Sequence, residues 1–240
     1  MDKIKYLSRI QIFEDLDLEE LKKYEPATPM KVVEKGTVFC SPHMDQKLLY
    51  LIKSGQVRLY RLTESGKELT VDILETGHVF GEIGTFTTGS ENLYAEAWED
   101  SVICRIDRVQ FEKIIRENPS ISLKLLEIIS SRLKEVEELL EYMAYSSTRK
   151  RLLFLLNKLT EKFGDKLSSG SAEEWVALNI YITHQELASM MGSIRETVTA
   201  LLNEFNAEGI VRKSGRRGTM EVHSVRLKCA LNEGIKISTH

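Results

Sequence analysis

The sequence predicts an α+β chain in three parts: an N-terminal β-roll of jelly-roll type over residues 1–118, one long helix over 119–147, and a C-terminal winged helix-turn-helix over 148–240. Three observations carry this. Short β-branched and aromatic runs are punctuated by glycines at 36, 55, 66 and 77, the last three 11 residues apart, which is the spacing of strands joined by tight turns. From Ser120 to Ala144 there is neither Gly nor Pro, and apolar side chains recur at alternating intervals of 3 and 4. Beyond residue 182, two helix-start signatures flank a glycine and lead into a basic hairpin.

Taken in order, the first 24 residues read as a short helical segment with Ile12, Leu16 and Leu21 on one face. The strand runs are Lys31–Val33, Val38–Phe39, Leu48–Ile52, Val57–Leu62, Leu69–Leu74, Tyr94–Trp98 and Val102–Ile106. Glu64-Ser65-Gly66-Lys67 is a hairpin turn, because Gly accepts the positive φ such turns require. Arg108–Arg116 reads as a short helix, Asn118-Pro119-Ser120 interrupts it, and Pro suits the start of the next. In that next helix Leu126, Ile129, Leu133, Val136, Leu140 and Met143 form a heptad seam flanked by charge. Such a seam wants a parallel partner helix and predicts a homodimer; its other use would be packing on the chain's own β-domain. A basic helix over 149–163, a polar loop over 164–174 and a strand from Trp175 to Ile182 follow.

Thr183-x-x-Glu186 is a capping box that opens a helix with Leu187, Ala188, Met190 and Met191 inward. Gly192 ends it, and Ser193-x-x-Glu196 reads as a second capping box, opening a helix with Ile194, Val198, Leu201, Leu202 and Phe205 inward. Residues 209–222 then read as a strand, a basic turn and a strand, the wing. Arg195, Glu196, Thr199 and Asn203 remain on the outer face of the second helix, whose first turns meet base edges in a helix-turn-helix. Arg suits guanine and Glu suits cytosine. Thr183, His184, Gln185, Ser193, Arg216 and Arg217 are placed to hold phosphates.

Composition first argues against nucleic acid and then for it. The chain has 33 basic and 36 acidic side chains, a net charge of −3. Up to Tyr145, however, it holds 19 basic against 26 acidic residues, and beyond it 14 against 10, so an acidic part precedes a basic one. With 42% hydrophobic and 29% charged residues the chain reads as globular. No run approaches the roughly 18 apolar residues of a membrane span, and the start lacks a signal-type apolar core. Cys40, Cys104 and Cys229 are odd in number and far apart, which fits a reducing cytoplasm. The five histidines show no metal-ligand spacing, and no nucleophile–base pair or phosphate loop emerges, so neither a metal site nor an enzyme is expected.

Three segments together resemble the CRP/FNR family of bacterial transcription regulators, the cyclic-AMP receptor protein and fumarate-nitrate regulator type: Gly77-His78-Val79-Phe80-Gly81-Glu82-Ile83-Gly84, the Asn118-Pro119 start of the long helix, and Thr183-His184-Gln185-Glu186-Leu187-Ala188 with Gly192-Ser193-Ile194-Arg195-Glu196-Thr197-Val198. The resemblance covers almost the whole chain. It implies a cyclic-nucleotide-binding-type roll that senses an effector, homodimers on a two-fold symmetric operator in double-stranded DNA, and contact with RNA polymerase; the departures that follow leave no cofactor expected. Effector-pocket candidates are Gly81, Glu82, Ile83, Gly84, Asn92, Leu93, Val136 and Glu137. Nucleotide-binding members grip the cyclic phosphate with an Arg-Ser pair, where this chain has Asn92-Leu93; their hydroxylic long-helix positions are Val136 and Glu137 here. A guanidinium contact is lost and a carboxylate would repel the ligand. An iron–sulfur cluster needs four cysteines, and haem-sensing members carry a His where Ile83 stands. Many members carry an Arg where this chain has Ala200, so one purine contact is missing. The expectation is a dimeric transcriptional activator whose control is by an unidentified small molecule in the roll, by a thiol signal at Cys40 or Cys104, or by expression level alone. The competing reading is a ligand-binding regulatory or scaffold protein whose winged helix contacts protein.

Overall fold

The computed structural model describes residues 7–24, 30–42, 44, 48–83, 86–87, 93–145, 147–165, 174–214 and 219–232. Of the predicted site residues, Gly84, Asn92, Arg216 and Arg217, and the side chains of Ile83 and Met143, lie outside the described residues. The chain divides into two compact units, Met1–Glu135 and Val136–His240.

Among the described residues of the first unit a 3-10 turn (Gln11–Phe13) and helix α1 (Leu18–Tyr24) precede nine strands: β1 Met30–Val33, β2 Val38–Cys40, β3 Leu49–Ser54, β4 Gln56–Leu62, β5 Glu68–Glu75, β6 Val79–Ile83, β7 Phe86–Thr87, β8 Tyr94–Ala97 and β9 Ser101–Ile106. They form two antiparallel sheets, ordered β1-β9-β3-β6-β7 and β2-β8-β4-β5. Strand side chains alternate between faces, and here the first sheet is buried on both. Tyr50, Ile52, Phe80 and Ile103 meet Val57, Leu59, Leu74, Ala95 and Ala97 of the opposite sheet, and Leu93 just before its strand β8. Leu49, Leu51, Val79, Cys104 and Ile106 face away from it, onto Leu7, Ile10, Phe13 and the helices. That is why Leu49–Ile52 is an unbroken apolar run rather than an alternating one.

Helix α2 (Arg108–Glu117) starts on a capping box that the sequence reading passed over: Asp107 accepts the Gln110 amide at 2.8 Å and returns its own amide to the Gln110 side chain at 3.1 Å. Helix α3 (Ser120–Tyr145) then runs unbroken across the boundary of the two units. Its early residues Ile121, Leu125, Ile128 and Ile129 pack on the roll core, and Arg132 donates to the Val79 carbonyl of β6 at 2.7 Å. So Ile129 of the predicted seam is half-buried on the chain's own core, whereas Leu126, Leu133, Val136 and Leu140 stand 51–62% exposed.

The second unit holds α4 (Thr148–Phe163), β10 (Gly164–Asp165), β11 (Trp175–Leu178), α5 (His184–Met190), α6 (Arg195–Ala207), β12 (Val211–Ser214), β13 (Thr219–His223) and α7 (Ser224–Asn232). Ser147 caps α4, accepting the Lys150 amide at 3.3 Å. Helix α4 buries Leu152, Leu153, Leu156, Leu159 and Phe163, and packs against α5, α6 and α7. The sheet order is β10-β11-β13-β12. The strand predicted to Ile182 ends at Leu178, because Asn179 and Ile180 bend away before the next helix cap.

Gly81 is the fixed point of the first sheet. It pairs with Leu49 at φ +115°, and a Cβ there would strike the Leu48 carbonyl oxygen. Gly81→Ala is expected to cost about 1–3 kcal/mol, from a left-handed backbone and a backbone clash together, measured by urea denaturation; an unchanged midpoint would contradict the geometry.

Candidate nucleic-acid interface

Helix α5 starts as its sequence demands. Thr183 Oγ1 accepts the Glu186 amide at 3.3 Å, and the Thr183 amide donates to Glu186 Oε2 at 2.6 Å. Leu187, Ala188 and Met191 are buried, and Met190 is half-buried. Gly192 takes φ +62°, and the Ser193 amide donates back to the Ala188 carbonyl at 2.9 Å. This return hydrogen bond places Ser193 inside the turn. Helix α6 therefore begins one residue later than predicted, with Ile194 at its cap position and no side-chain cap bond. The second capping box, Ser193 with Glu196, is not formed. Ile194, predicted inward, is 61% exposed instead. Val198, Leu202 and Phe205 are buried as expected, and Leu201 is half-buried.

The far end of α6 is held by Arg149 of α4. Its guanidinium reaches Glu208 at 2.5 Å and Glu204 at 3.5 Å, and lies 4.8 Å from the Phe205 ring centre. The near end faces a broad concavity of about 810 Å³ whose wall includes Tyr181, Thr183, His184, Gln185, Arg195, Lys213 and Thr219. The structure thus gathers Thr183, His184, Gln185 and Arg195 on one surface, with Glu196 exposed in the same first turn and Ser193 in the turn before it. Three residues named in this wall, Tyr181, Lys213 and Thr219, were missed as site residues. Tyr181 is 72% exposed, although an apolar-flanked tyrosine in a predicted strand reads as core. Lys213 was legible from its place in the wing, where it alternates with Arg212. Arg212 itself is spent on structure: it pairs with the buried Glu221 at 2.5 Å and stacks 4.2 Å from the Trp175 ring centre.

Thr199 does not project freely from the outer face. Its hydroxyl donates to the Arg195 carbonyl at 2.9 Å, and it stands 2.8 Å from His184 Nδ1. A hydroxyl has one proton, so while it donates to the Arg195 carbonyl its oxygen accepts from His184, which matches the tautomer with the N–H on Nδ1. Neutral His184 then has a bare Nε2. Burial, followed by the Lys213 and Arg195 charges, pushes the His184 imidazole below its ordinary value of 6.5. In the roll, Gly81 is buried, Glu82 is half-buried and Leu93 packs between the sheets at 5% exposure. Val136 and Glu137 are exposed on α3. Burial pushes the Cys40 thiol up, against thiolate chemistry there. Among the described residues no group of three or more His, Cys, Asp or Glu forms a metal cluster, and no helix is long and apolar enough to cross a membrane.

The His184 assignment is open to measurement. In the protein without ligand its NMR titration is expected below 6.5, with the neutral ring protonated at Nδ1, and Lys213→Ala should move the midpoint upward. A midpoint at or above 6.5 would contradict the burial of the ring beside two cations, and one that Lys213→Ala leaves unmoved would contradict the placement of Lys213.

Both parts of the chain match known families. Residues 30–118 match the cyclic nucleotide-binding domain family, and residues 150–226 the Crp-like helix-turn-helix domain family. The chain is 32% identical over 179 residues to the cyclic AMP receptor protein of Thermus thermophilus, covering 75% of this chain and 76% of that one. It is 30% identical to the global nitrogen regulator of a Nostoc species, covering 76% and 80%. A solved structure of a CooA mutant from Carboxydothermus hydrogenoformans superposes with a TM-score of 0.71 at 26% identity, covering 86% of this chain and 88% of that one. A β-roll of effector-binding type followed by a Crp-like helix-turn-helix, with relatives of this identity and coverage, makes the chain a member of the CRP/FNR family of DNA-binding transcription regulators.

Proposed function

We propose that this regulator acts as a homodimer on a two-fold symmetric operator, as an activator that contacts RNA polymerase in the cytoplasm, and that it performs no catalysis. The observation that carries the DNA reading is the joint exposure of Arg195 and Glu196 in the first turn of α6, on a surface shared with His184, Gln185 and Lys213. Arg195 and Glu196 read base edges. Thr183, Gln185, Ser193 and Lys213 hold phosphates, as does His184 once a bound phosphate draws a proton onto its Nε2, with Arg216 and Arg217 of the wing turn beside them by sequence. Thr199, held by His184 and the Arg195 carbonyl, supports both sets rather than reading a base itself.

The dimer reading rests on the apolar stripe Leu126, Leu133, Val136 and Leu140, each more than half exposed in the single chain. An uncovered stripe of this length along a helix is a liability in water unless a second helix covers it. Two recognition helices would then enter grooves about 34 Å apart. The roll keeps Gly81-Glu82 but fills the place of a phosphate-gripping pair with Asn92-Leu93, and Leu93 is packed into the core. That favours an effector other than a cyclic nucleotide held by its phosphate. The cysteine content speaks likewise against an iron–sulfur cluster, and no resident cofactor is proposed.

Fluorescence anisotropy on duplex DNA tests the main reading. Affinity should fall steeply with salt, and Arg195→Ala should cost about 1–3 kcal/mol on a selected duplex while leaving random-duplex binding nearly unchanged. Salt-insensitive binding, or equal affinity for selected and random duplexes, would overturn it. The dimer has its own test. Leu133 is exposed, so Leu133→Asp leaves the chain's own packing intact, and sedimentation should shift from dimer to monomer. A variant that still sediments as a dimer would remove the stripe from the interface.

A further inference from the structure

We infer that Ile194 is a specificity-determining residue that packs on the 5-methyl group of a thymine at one position of each half-site, an inference that rests on the DNA reading proposed above. A single exposed isoleucine is ordinary on a protein surface. What sets this one apart is the cost of its place. It occupies the cap position of α6, where Ser, Thr, Asp or Asn would satisfy an open backbone amide and a β-branched apolar residue satisfies none. A serine stands one residue earlier, at 193, but its amide is drawn into the turn by the Ala188 carbonyl. The chain thus forgoes a helix cap at the start of its recognition helix and gains no burial in return, since Ile194 remains 61% exposed. A local rule broken without a folding gain points to a functional demand.

The demand has a definite chemistry. Ile194 directly precedes Arg195, at the end of α6 that approaches base edges, and its backbone is extended (φ −109°, ψ 152°), a conformation that β-branched residues favour. Of the groups displayed in the major groove, the thymine methyl is the apolar one, and an aliphatic side chain is its complement. Arg195 and Glu196 would read polar base edges, and Ile194 the methyl beside them.

The test replaces thymine by uracil, which removes that methyl and leaves every hydrogen-bonding group in place. The probe is a duplex enriched from a random pool by the full-length protein, substituted one symmetric thymine pair at a time. At one pair the wild-type protein should lose about fourfold in affinity for each half-site, the value of one buried methyl. Ile194→Ser should bind the enriched duplex more weakly and be indifferent to uracil at that pair. Its thermal midpoint should be no lower than that of the wild type, because serine is the better cap. A duplex whose uracil substitutions all leave wild-type affinity unchanged overturns the thymine contact alone. So does a lowered midpoint with the uracil sensitivity retained. Failure to enrich any duplex overturns sequence-specific binding itself, and this contact with it.

Discussion

Everything the second unit presents outward depends on how the backbone polar groups are satisfied between α5 and α6. Met191 closes α5 with a bond to Leu187, Gly192 turns at positive φ, and Ser193 returns its amide to Ala188. Ala188 is fully buried, so the second helix can come close enough for that last bond. With Ser193 held there, α6 begins at Arg195, with Ile194 at its cap. The rotation of α6 follows: Val198, Leu202 and Phe205 turn inward, and Arg195 and Glu196 turn out. Arg149 fixes the opposite end through Glu204, Glu208 and the face of Phe205. Each of those pairs is partly exposed and individually weak; together with the ring contact they remove a freedom that the turn leaves open.

The first unit solves a different problem. A sheet covered on both faces needs apolar side chains at every position of its central strand, and β3 supplies them from Leu49 to Ile52. The second sheet has a polar outer face, and there Arg58 is enclosed by Thr70, Glu68 and Glu96, with Tyr60 and Trp98 against its guanidinium. Helix α3 completes the inner layer with Ile121 and Leu125 and then continues into the second unit without a linker. The residues at the boundary, Glu135 and Val136, are helical.

Much of this was legible in the sequence. Strand runs, the glycine-marked hairpin, the unbroken long helix and the Thr183 capping box depend on local chemistry, and local chemistry survives folding. What was not legible depended on a neighbour far along the chain or on a competing bond. Ser193 with Glu196 satisfies the capping pattern, and nothing in the sequence says that Ala188 will claim the serine amide first. Ile194 fits the inward period of α6 and is exposed because the helix starts a residue late. Thr199 looks like an outward polar residue until His184, fifteen positions earlier, is placed beside it. Lys53 follows an apolar run as a surface lysine would, yet it is 1% exposed, its ammonium without a hydrogen-bond partner.

The bond between His184 and Thr199 also bears on how such a recognition surface can change over generations. Thr199 sits on the reading helix, and His184 sits where the proposed backbone contacts begin. Any replacement at 199 that removes the hydroxyl strips His184 of its partner, so a change aimed at one base pair would also disturb a sequence-independent contact. Effects at these two positions are then not additive. Glu196 and Asn203 carry no such tie to His184 among the described residues, so altered operators are reached with fewer side effects through them than through 199 or through Arg195, whose charge acts on His184.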